Sequence, residues 1–324
     1  MRDVNKNTNI IEPKSQLSLF GYENYFNLFI KLYKKNKLPN VILLNGPKGI
    51  GKATFAYHFI NYLLSQNEEN KYLINDFKIN RKNISYKHML NKTHPNFFLL
   101  QNNLLDEDIK IDQVRSLLKF LGKSVFSKNI KIVMIDNAEY LNLNSSNALL
   151  KALEEPGDST FFFIIKNSSS KILNTIKSRC IEFKLFFNAK QKKRIFTNIN
   201  QQYKLDFNLE NFDDKFYFDS PGNLLKYLIF FNDSDIDVYS DKLSCILYLF
   251  EKYKSKKDFE LLSMASLLIE QYYNELSLNN KNNLNYYFIN KHKIINEINN
   301  MKKFNLDKKN LLISLQGTLI NETR

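Results

Sequence analysis

A cluster of three glycines near the start of the chain constrains its fold more than any other feature. The ten residues from position 45 read NGPKGIGKAT, and they lie between a short apolar run and a helical pattern. A strand, the spacing G-x-x-x-x-G-K and a helix in this order are typical of a phosphate-binding loop, whose glycines let backbone N–H groups turn toward phosphate. The pattern therefore predicts a phosphate site able to take ATP, built on Gly46, Gly49, Gly51 and Lys52.

The same loop lacks the residue that would bind a metal ion. In this motif a Ser or Thr normally follows the lysine, and its hydroxyl binds magnesium. Here Ala53 follows Lys52, and Thr54 comes one position later, about 100° further around a helix. We include Thr54 among the candidate nucleotide-binding residues of the loop. The sequence still predicts phosphate binding, but it supplies no protein ligand for magnesium at this position.

A second apolar strand pattern ends in an acid and shows a parallel defect. The run KIVMID ends at Asp136, from which a carboxylate could assist magnesium through water. An active ATPase of this kind needs a residue beside this acid to orient the attacking water, but Asn137 stands here and an amide cannot act as a base. Glu139 lies further along and is expected to point elsewhere. The two losses predict a site without hydrolysis, and an active enzyme with substituted ligands is the alternative.

Apolar runs and helical patterns alternate over the first half of the chain, which is typical of a parallel sheet with helical crossovers. Strand patterns cover 41–44, 97–100, 130–135 and 161–165. Helical patterns cover 22–36, 54–64, 112–121 and 145–153. The polar composition of segment 65–92 predicts that it lies on the surface. From about residue 191 only helical patterns remain. We therefore predict an α/β P-loop domain over 1–165, a small helical lid domain over 166–234 and an all-α domain over 235–324.

The composition excludes several other classes of protein. No run of about 18 uncharged apolar residues occurs and no apolar signal region begins the chain, so we expect no membrane span and a cytoplasmic location. Two cysteines cannot build a disulfide framework or a four-cysteine zinc site, and the four histidines lack HExxH spacing. The net charge of +14 favours nucleic acid or acidic partners, so a DNA-binding module is one alternative. An AT-biased genome would also encode this excess of lysine.

Several short motifs resemble the clamp-loader subunits of bacterial DNA polymerase III, which are AAA+ proteins. The most specific motif is SRC at 178–180, and DNAEYLN from Asp136 and NALLKALEEP from Asn147 also match. Further matches are LPN at 38–40, HPNF at 94–97 and IDQVR at 111–115, so that the resemblance covers residues 17–185. It implies an AAA+ P-loop domain with a parallel sheet, a helical lid and an all-α C-terminal collar that joins subunits into a ring.

Within that family the chain looks like the delta-prime type of subunit rather than the gamma/tau motors. Motor subunits have intact nucleotide motifs and a lid arginine, whereas this chain has Ala53, Asn137 and Asn223 at the three positions. Many relatives carry a four-cysteine zinc module where 65–92 lies, but no cysteine occurs there, so zinc is not implied. The residue that senses nucleotide at the end of a strand would be Asn167 or Ser168.

The resemblance also implies partners and a role for Arg179. The chain would work beside gamma/tau motor subunits and a delta subunit, and through that complex with the sliding clamp and primed DNA. Arg179 would enter the ATP site of an adjacent motor subunit and stabilise charge that develops on the γ-phosphate. A local ion pair, for example with Glu182, is the alternative for Arg179. For the whole chain the alternatives are an active motor ATPase of the same ring and an unrelated P-loop nucleotide hydrolase.

Overall fold

A five-stranded parallel sheet organises the first of two structural units in this protein. The computed structural model describes residues 12–102, 108–123, 130–157, 159–205, 220–232, 242–304 and 308–321. The first unit contains the described residues up to 205 together with 220–225, and the second contains the described residues from 226 onward. The domain boundaries proposed after residues 165 and 234 stay predictions.

The strands of the sheet are β1 (Val41–Gly46), β2 (Phe97–Leu100), β3 (Lys131–Ile135), β4 (Thr160–Asn167) and β5 (Ile181–Lys184). Their order across the sheet is β2-β3-β4-β1-β5, and each neighbouring pair is parallel. Parallel neighbours need crossover connections, which helices provide here. The α/β class predicted from the sequence is confirmed. The short edge strand β5 was not predicted, because half of its four residues are charged.

Helices of the first unit surround this sheet. They are α1 (Glu23–Lys34), α2 (Lys52–Leu64), α3 (Ile84–Leu90), α4 (Ile111–Gly122), α5 (Leu143–Glu154), α6 (Asn174–Lys177) and α7 (Ala189–Tyr203). The helical patterns predicted α1, α2, α4 and α5 to within two residues at each end, which is the usual uncertainty of helix boundaries. Glu154 is the last residue of α5.

Side chains of β1 alternate between two apolar cores, as a strand covered on both faces requires. Ile42 and Leu44 belong to the core that α1 and α2 cover. Val41 and Leu43 belong to the core that α4 and α5 cover. The first core is built largely on aromatic rings, which include Tyr22, Phe26, Phe29, Phe55 and Phe59. The sheet is therefore buried on both sides, and its strand ends are the places where polar chemistry can collect.

Segment 65–92 packs partly into the first core, so the prediction of a surface segment is wrong for several of its residues. Its buried apolar side chains are Tyr72, Ile79, Tyr86 and Met89. The Glu68 carboxylate accepts hydrogen bonds from the backbone N–H groups of residues 84 and 85, at 2.8 and 2.9 Å. Asn83 Oδ1 accepts from Asn61 Nδ2 at 2.9 Å and from Tyr86 N at 2.6 Å. These short polar side chains satisfy the backbone of an irregular segment and thereby allow it to be buried.

The second unit is helical, as the C-terminal patterns predict. Helix α8 (Pro221–Asn232) begins in the first unit and ends in the second, which also contains α9 (Lys242–Lys256), α10 (Phe259–Asn279), α11 (Leu284–Phe304) and α12 (Lys308–Asn321). The core of this unit includes Ile246 and Phe250 of α9, Ile269 of α10, and Ile298 of α11. Among the described residues, no helix combines the length and the apolar character that crossing a bilayer requires.

His58 of α2 is fully buried in the first unit and is held as a neutral ring. Its Nδ1 accepts from the Tyr72 hydroxyl at 2.9 Å, and its Nε2 donates to the Gln16 carbonyl oxygen at 3.1 Å. The carbonyl can only accept, which fixes this tautomer. Burial lowers the pKa of His58 from its ordinary 6.5 to about 3. His58 is therefore difficult to protonate in the folded chain and easy to protonate in the unfolded chain.

The free energy of unfolding should fall as the pH drops below about 6.5, because the unfolded chain then binds a proton that folded His58 excludes. From pH 7 to pH 5 the expected loss from His58 is about 2 kcal/mol. Urea unfolding at the two pH values measures it. His58→Gln should reduce the pH dependence by this amount. Equal pH dependence in His58→Gln and the wild type would contradict a neutral buried ring.

Candidate nucleotide site and an arginine at the end of the sheet

Three neighbouring strand ends bring the predicted phosphate residues to one edge of the sheet. The phosphate loop follows β1, Asp136 follows β3, and Asn167 ends β4. These strands are adjacent in the order β3-β4-β1, and the carboxyl ends of parallel strands share an edge where ligands commonly bind. Lys52 and Asp136, 84 positions apart in the sequence, are close enough to influence each other's ionisation. The structure therefore joins the two motifs that the sequence analysis identified separately.

Gly51 sets the start of α2 and thus the direction of its first N–H groups. Its φ is +93°, a left-handed conformation that glycine adopts without steric cost. Tyr22 supports the turn, since its hydroxyl donates to the Ile50 carbonyl oxygen at 3.0 Å. At the other end of the loop, a Cβ on Gly46 would lie 2.6 Å from the Leu185 carbonyl oxygen. The loop backbone keeps the geometry that presents helix N–H groups to an anion.

A short segment of the chain, 220–223, covers the turn of the phosphate loop at Gly49. Gly49 has a φ of +78°, and its carbonyl oxygen accepts from Gly222 N at 3.0 Å. A Cβ on Gly49 would overlap Ser220 Oγ and would lie 2.5 Å from Asn223 Oδ1. The structure thus places Asn223, which the resemblance aligns with a lid arginine, directly against the loop.

Lys52 directs its ammonium group at acceptors of its own chain. Its Nζ donates to the carbonyl oxygens of Gly46 and Pro47, both at 2.8 Å, and to Asn167 Oδ1 at 3.1 Å. A lysine ammonium has three protons, so these three bonds satisfy it. A phosphate that entered this site would have to replace at least one of them.

Burial changes the ionisation of the two charged residues that the motifs predict for this site. Loss of water lowers the pKa of Lys52 to about 8, and the nearby Glu139 and Asp136 carboxylates oppose that shift. Loss of water also raises the pKa of Asp136 to about 6, although the Asn137 backbone N–H and Lys52 favour its ionised form. Near neutral pH the lysine is mostly charged and the aspartate mostly ionised, so they remain an electrostatic pair.

Glu139 lies in the site, so the expectation that it points elsewhere is wrong. Its Oε1 accepts hydrogen bonds from the side chain of Asn167 and from Asn167 N, the latter at 3.3 Å. The 3₁₀ turn Ala138–Tyr140 follows Asn137, whose left-handed conformation redirects the chain toward β4. Of the two sensor candidates, Asn167 contacts Lys52 and Glu139, whereas the Ser168 backbone N–H donates to the Gly46 carbonyl at 3.0 Å. The geometry therefore favours Asn167 for that position.

The residues present do not fit a bound magnesium ion. Ala53 offers no oxygen where the hydroxyl ligand belongs, and Thr54 is the third residue of α2, half-buried, with Phe55 buried after it. Asn137 donates its side-chain amide to Asn102 Oδ1 at 3.2 Å and so does not occupy the position of a base. The described residues contain no cluster of three or more His, Cys, Asp or Glu side chains that could hold a metal ion. The site keeps the cradle for phosphate and the Asp136 carboxylate, but it lacks the hydroxyl that would bind the metal directly.

Arg179 lies between α6 and β5 and is held by the end of α5. Its Nε donates to Glu154 Oε1 at 2.8 Å, its Nη2 also bonds Glu154, and its Nη1 donates to the Thr175 carbonyl oxygen at 2.6 Å. Arg179 thus forms a local ion pair, the alternative considered for it, but its partner is Glu154. Glu182, the partner suggested from the sequence, instead accepts from Asn45 Nδ2 at 2.5 Å and lies 3.7 Å from Lys177 Nζ. The side chain of Arg179 is 28 % exposed. The guanidinium is anchored but still reachable from outside the chain.

The sheet order, a phosphate loop after β1 and an acid after β3 together define an AAA+ type of P-loop module. A crystal structure from Thermotoga maritima, of a DNA polymerase III gamma subunit-related protein, is similar over 91% of this chain and 99% of that one. The TM-score is 0.51 and the sequence identity is 18%, so this likeness concerns the fold alone. The AAA+ class predicted from the motifs is confirmed.

The family model for DNA polymerase III, delta subunit, matches residues 21–188, just over half of the 324 residues. DNA polymerase III subunit delta′ of Pseudomonas aeruginosa is 36% identical over 140 residues, covering 43% of this chain and 41% of that protein. The delta′ subunit of Buchnera aphidicola subsp. Baizongia pistaciae is 27% identical over 239 residues, covering 71% and 67%. The chain belongs to the delta-prime family of clamp-loader subunits, although it spans less than half the length of the first of these relatives.

Replacing Gly49 with alanine should destabilise the first unit, because the Cβ would overlap the 220–223 segment and would require a left-handed backbone. We expect a loss of about 2 kcal/mol or more in the free energy of unfolding, measured by urea denaturation. Gly122→Ala is the matched control, since a Cβ there meets nothing within 4 Å. Similar unfolding curves for both variants would show that the segment does not pack on the loop.

Proposed function

We propose that this chain is a non-hydrolysing subunit of a clamp loader and that it contributes Arg179 to the ATP site of a neighbouring motor subunit. The proposal joins one observation about the chain's own pocket to one about its surface. The pocket has a phosphate cradle without the hydroxyl ligand for magnesium and with Asn137 in place of the base, while an anchored guanidinium remains accessible just before β5. The contrast between these two features is what supports a role in trans.

The chain's own pocket argues against catalysis in cis. Phosphoryl transfer depends on positioning and on neutralising charge, chiefly through magnesium and a residue that orients water. Ala53 and Asn137 stand at the two positions that would supply these groups, and Lys52 is satisfied by the protein. ATP could still occupy the cradle, but this arrangement gives no route to its hydrolysis.

Arg179 has the properties that a contribution to a neighbour requires. A guanidinium stays charged at all physiological pH values and presents a planar fork that matches phosphate oxygens. Glu154 and the Thr175 carbonyl orient this fork before any partner arrives, which reduces the entropy lost when it binds. The bonds to Glu154 are partly exposed, so a more highly charged phosphate could compete for the guanidinium.

One observation favours the alternative of an active motor ATPase. Glu139 places a carboxylate in the pocket, and its Oε2 is buried without a hydrogen-bond partner in the structure. Such a carboxylate could in principle orient water. It is bound through Oε1 to Asn167, however, and Ala53 still leaves magnesium without its hydroxyl ligand. We therefore rank this alternative second.

The proposed partners follow from the family. The motor subunits and a delta subunit would form a ring with this chain, whose helices from α9 onward would join the collar. The sliding clamp and primed DNA would be reached through that complex. The net charge of +14 is compatible with a nearby nucleic acid, because lysine and arginine attract phosphates at long range.

The purified chain alone should not hydrolyse ATP in the presence of magnesium. The rate of phosphate release should equal that of a Lys52→Ala variant. Any contaminating ATPase would contribute equally to both preparations. Release of labelled phosphate measures this directly. Magnesium-dependent turnover that disappears in Lys52→Ala and in Glu139→Gln would establish the motor alternative.

In the reconstituted complex, Arg179→Ala should slow ATP hydrolysis at the neighbouring site by about 10³-fold or more, which is the usual contribution of an arginine finger. Arg179→Lys should not restore it, because lysine lacks the fork. Arg115→Ala is the control, since Arg115 forms a surface ion pair with Asp112 on α4. Gel filtration should show that all variants still assemble. Wild-type turnover in an assembled Arg179→Ala complex would refute the role in trans.

A further inference from the structure

Helix α7 and the residues just before it concentrate positive charge that no acid in the same stretch balances. Residues 183–205 include six lysines and arginines, and all 33 acids of the chain lie elsewhere. Four of the six, at positions 190, 192, 193 and 194, fall within the first six residues of α7. A lysine excess spread evenly along the chain would leave acids in a segment of this length. The local charge therefore distinguishes α7 from the basic background of the chain.

Lys190 and Arg194 are the exposed members of this cluster. They lie one turn apart on the same side of α7, since residues at i and i+4 are neighbours on a helix. The other side of the helix carries Ile195 and Phe196, which are buried in the first unit. None of the ion pairs in the described part of the chain involves Lys190 or Arg194. Both cations are thus open to an anion from outside the chain.

The positions of these cations are unfavourable for the helix itself. The helix macrodipole places partial positive charge at the start of a helix, where carboxylates stabilise it and cations destabilise it. The first turn of α7 contains no acid, and the helix is capped by the neutral side chains of Asn188 and Gln191. Like charges at i and i+4, as in Lys190 and Arg194, also repel each other. An anion bound to this face would offset both effects.

An exposed aromatic ring accompanies the cations. Phe186 is 66% exposed and lies two residues before Asn188, the cap of α7. Its neighbours Leu185 and Phe187 are both buried, so the backbone is anchored on either side of the exposed ring. Aromatic rings held at the surface beside cations are the combination that binds single-stranded nucleic acids, because unpaired bases stack on the rings while phosphates meet the cations.

A further cation stands near the other end of α7. Arg81 is exposed, and its guanidinium is close enough to Tyr203 to oppose the rise that burial causes in the pKa of that tyrosine. The exposed Gln201 and Gln202 add neutral hydrogen-bonding groups in the last turn. The 15 residues of α7 span about 22 Å. An extended polyanion could therefore meet cations at both ends of the helix.

We propose that the exposed face of α7, together with Phe186, binds a single strand of nucleic acid. Lys190 and Arg194 contact its phosphates, and Phe186 stacks on an unpaired base. A duplex offers phosphates without a free base, and an acidic protein offers carboxylates without bases, so a single strand matches both features. Arg179 precedes β5 and α7 follows it, so the two lie at opposite ends of that strand. The inference therefore does not depend on the role of Arg179.

The test measures binding of the full chain to a fluorescent oligo(dT) of about 20 nucleotides by anisotropy, over a range of salt concentrations. Lys190→Gln combined with Arg194→Gln should raise Kd by about tenfold at low salt. The same double variant should reduce the salt dependence by the equivalent of about two phosphate contacts. Phe186→Ala should raise Kd by about fivefold or more with the salt dependence unchanged, because it removes a ring and no charge. Phe186→Tyr keeps a ring and should bind like the wild type.

Lys31→Gln combined with Lys35→Gln is the matched control. Both lysines are exposed and have the same i, i+4 spacing. They lie just before β1 in the chain, whereas α7 follows the end of the parallel strand β5, so the two pairs are at opposite edges of the sheet. The control should bind oligo(dT) like the wild type. The inference would be refuted if the wild type did not bind, or if the control and the α7 double variant lost the same affinity.

Two further results would overturn the choice of partner. If a duplex of the same length bound as tightly and Phe186→Ala had no effect, the surface would recognise backbone charge alone. If polyglutamate displaced oligo(dT) at an equal concentration of charge, an acidic protein would fit the surface equally well. ATP turnover of the reconstituted complex without nucleic acid should be the same for the wild type and the α7 double variant. Failure of this inference would therefore leave the role of Arg179 unaffected.

Discussion

The candidate site depends on the hydrogen bonds of the buried Lys52 ammonium group. A charged group removed from water must find acceptors, and Lys52 finds them in two loop carbonyls and Asn167. These bonds connect the loop after β1 to the end of β4. Asp136 and Glu139 then balance the charge from the end of β3. Three strand ends are thereby joined around one side chain.

The sequence predicted the parts of the fold that depend on local patterns. The strands β1 to β4 and the helices α1, α2, α4 and α5 each have an apolar period that can be read without knowledge of their neighbours. The edge strand β5 has no such pattern, because it pairs on one side only and keeps exposed residues at both ends. Segment 65–92 was misjudged for a related reason. Its burial depends on the hydrogen bond between Asn83 and Asn61, which are 22 residues apart. A contact at that separation produces no periodic pattern in the sequence.

In the site too, the features set by short motifs or single residues could be predicted, and the features set by contacts between distant residues could not. The phosphate loop could be predicted from its glycine spacing, and the losses at Ala53 and Asn137 from single residues. The position of Glu139 could not, because the left-handed Asn137 turns the chain back in a way that sequence distance does not reveal. The partner of Arg179 was missed as well. Glu182 is three residues away in the sequence, but Glu154, at a separation of 25, lies closer in space.

The geometry also explains how a defective pocket can coexist with a positioned arginine. Strand β5 begins two residues after Arg179 and pairs with β1, which leads directly into the phosphate loop. Gly46 touches the backbone just beyond β5, and Gly49 supports the 220–223 segment. The loop backbone thus has structural contacts that do not involve phosphate. The side chains at positions 53 and 137 make none of these contacts. Losing the metal ligand and the base therefore leaves intact strand β5 and the bonds of Arg179 to Glu154 and to the Thr175 carbonyl oxygen.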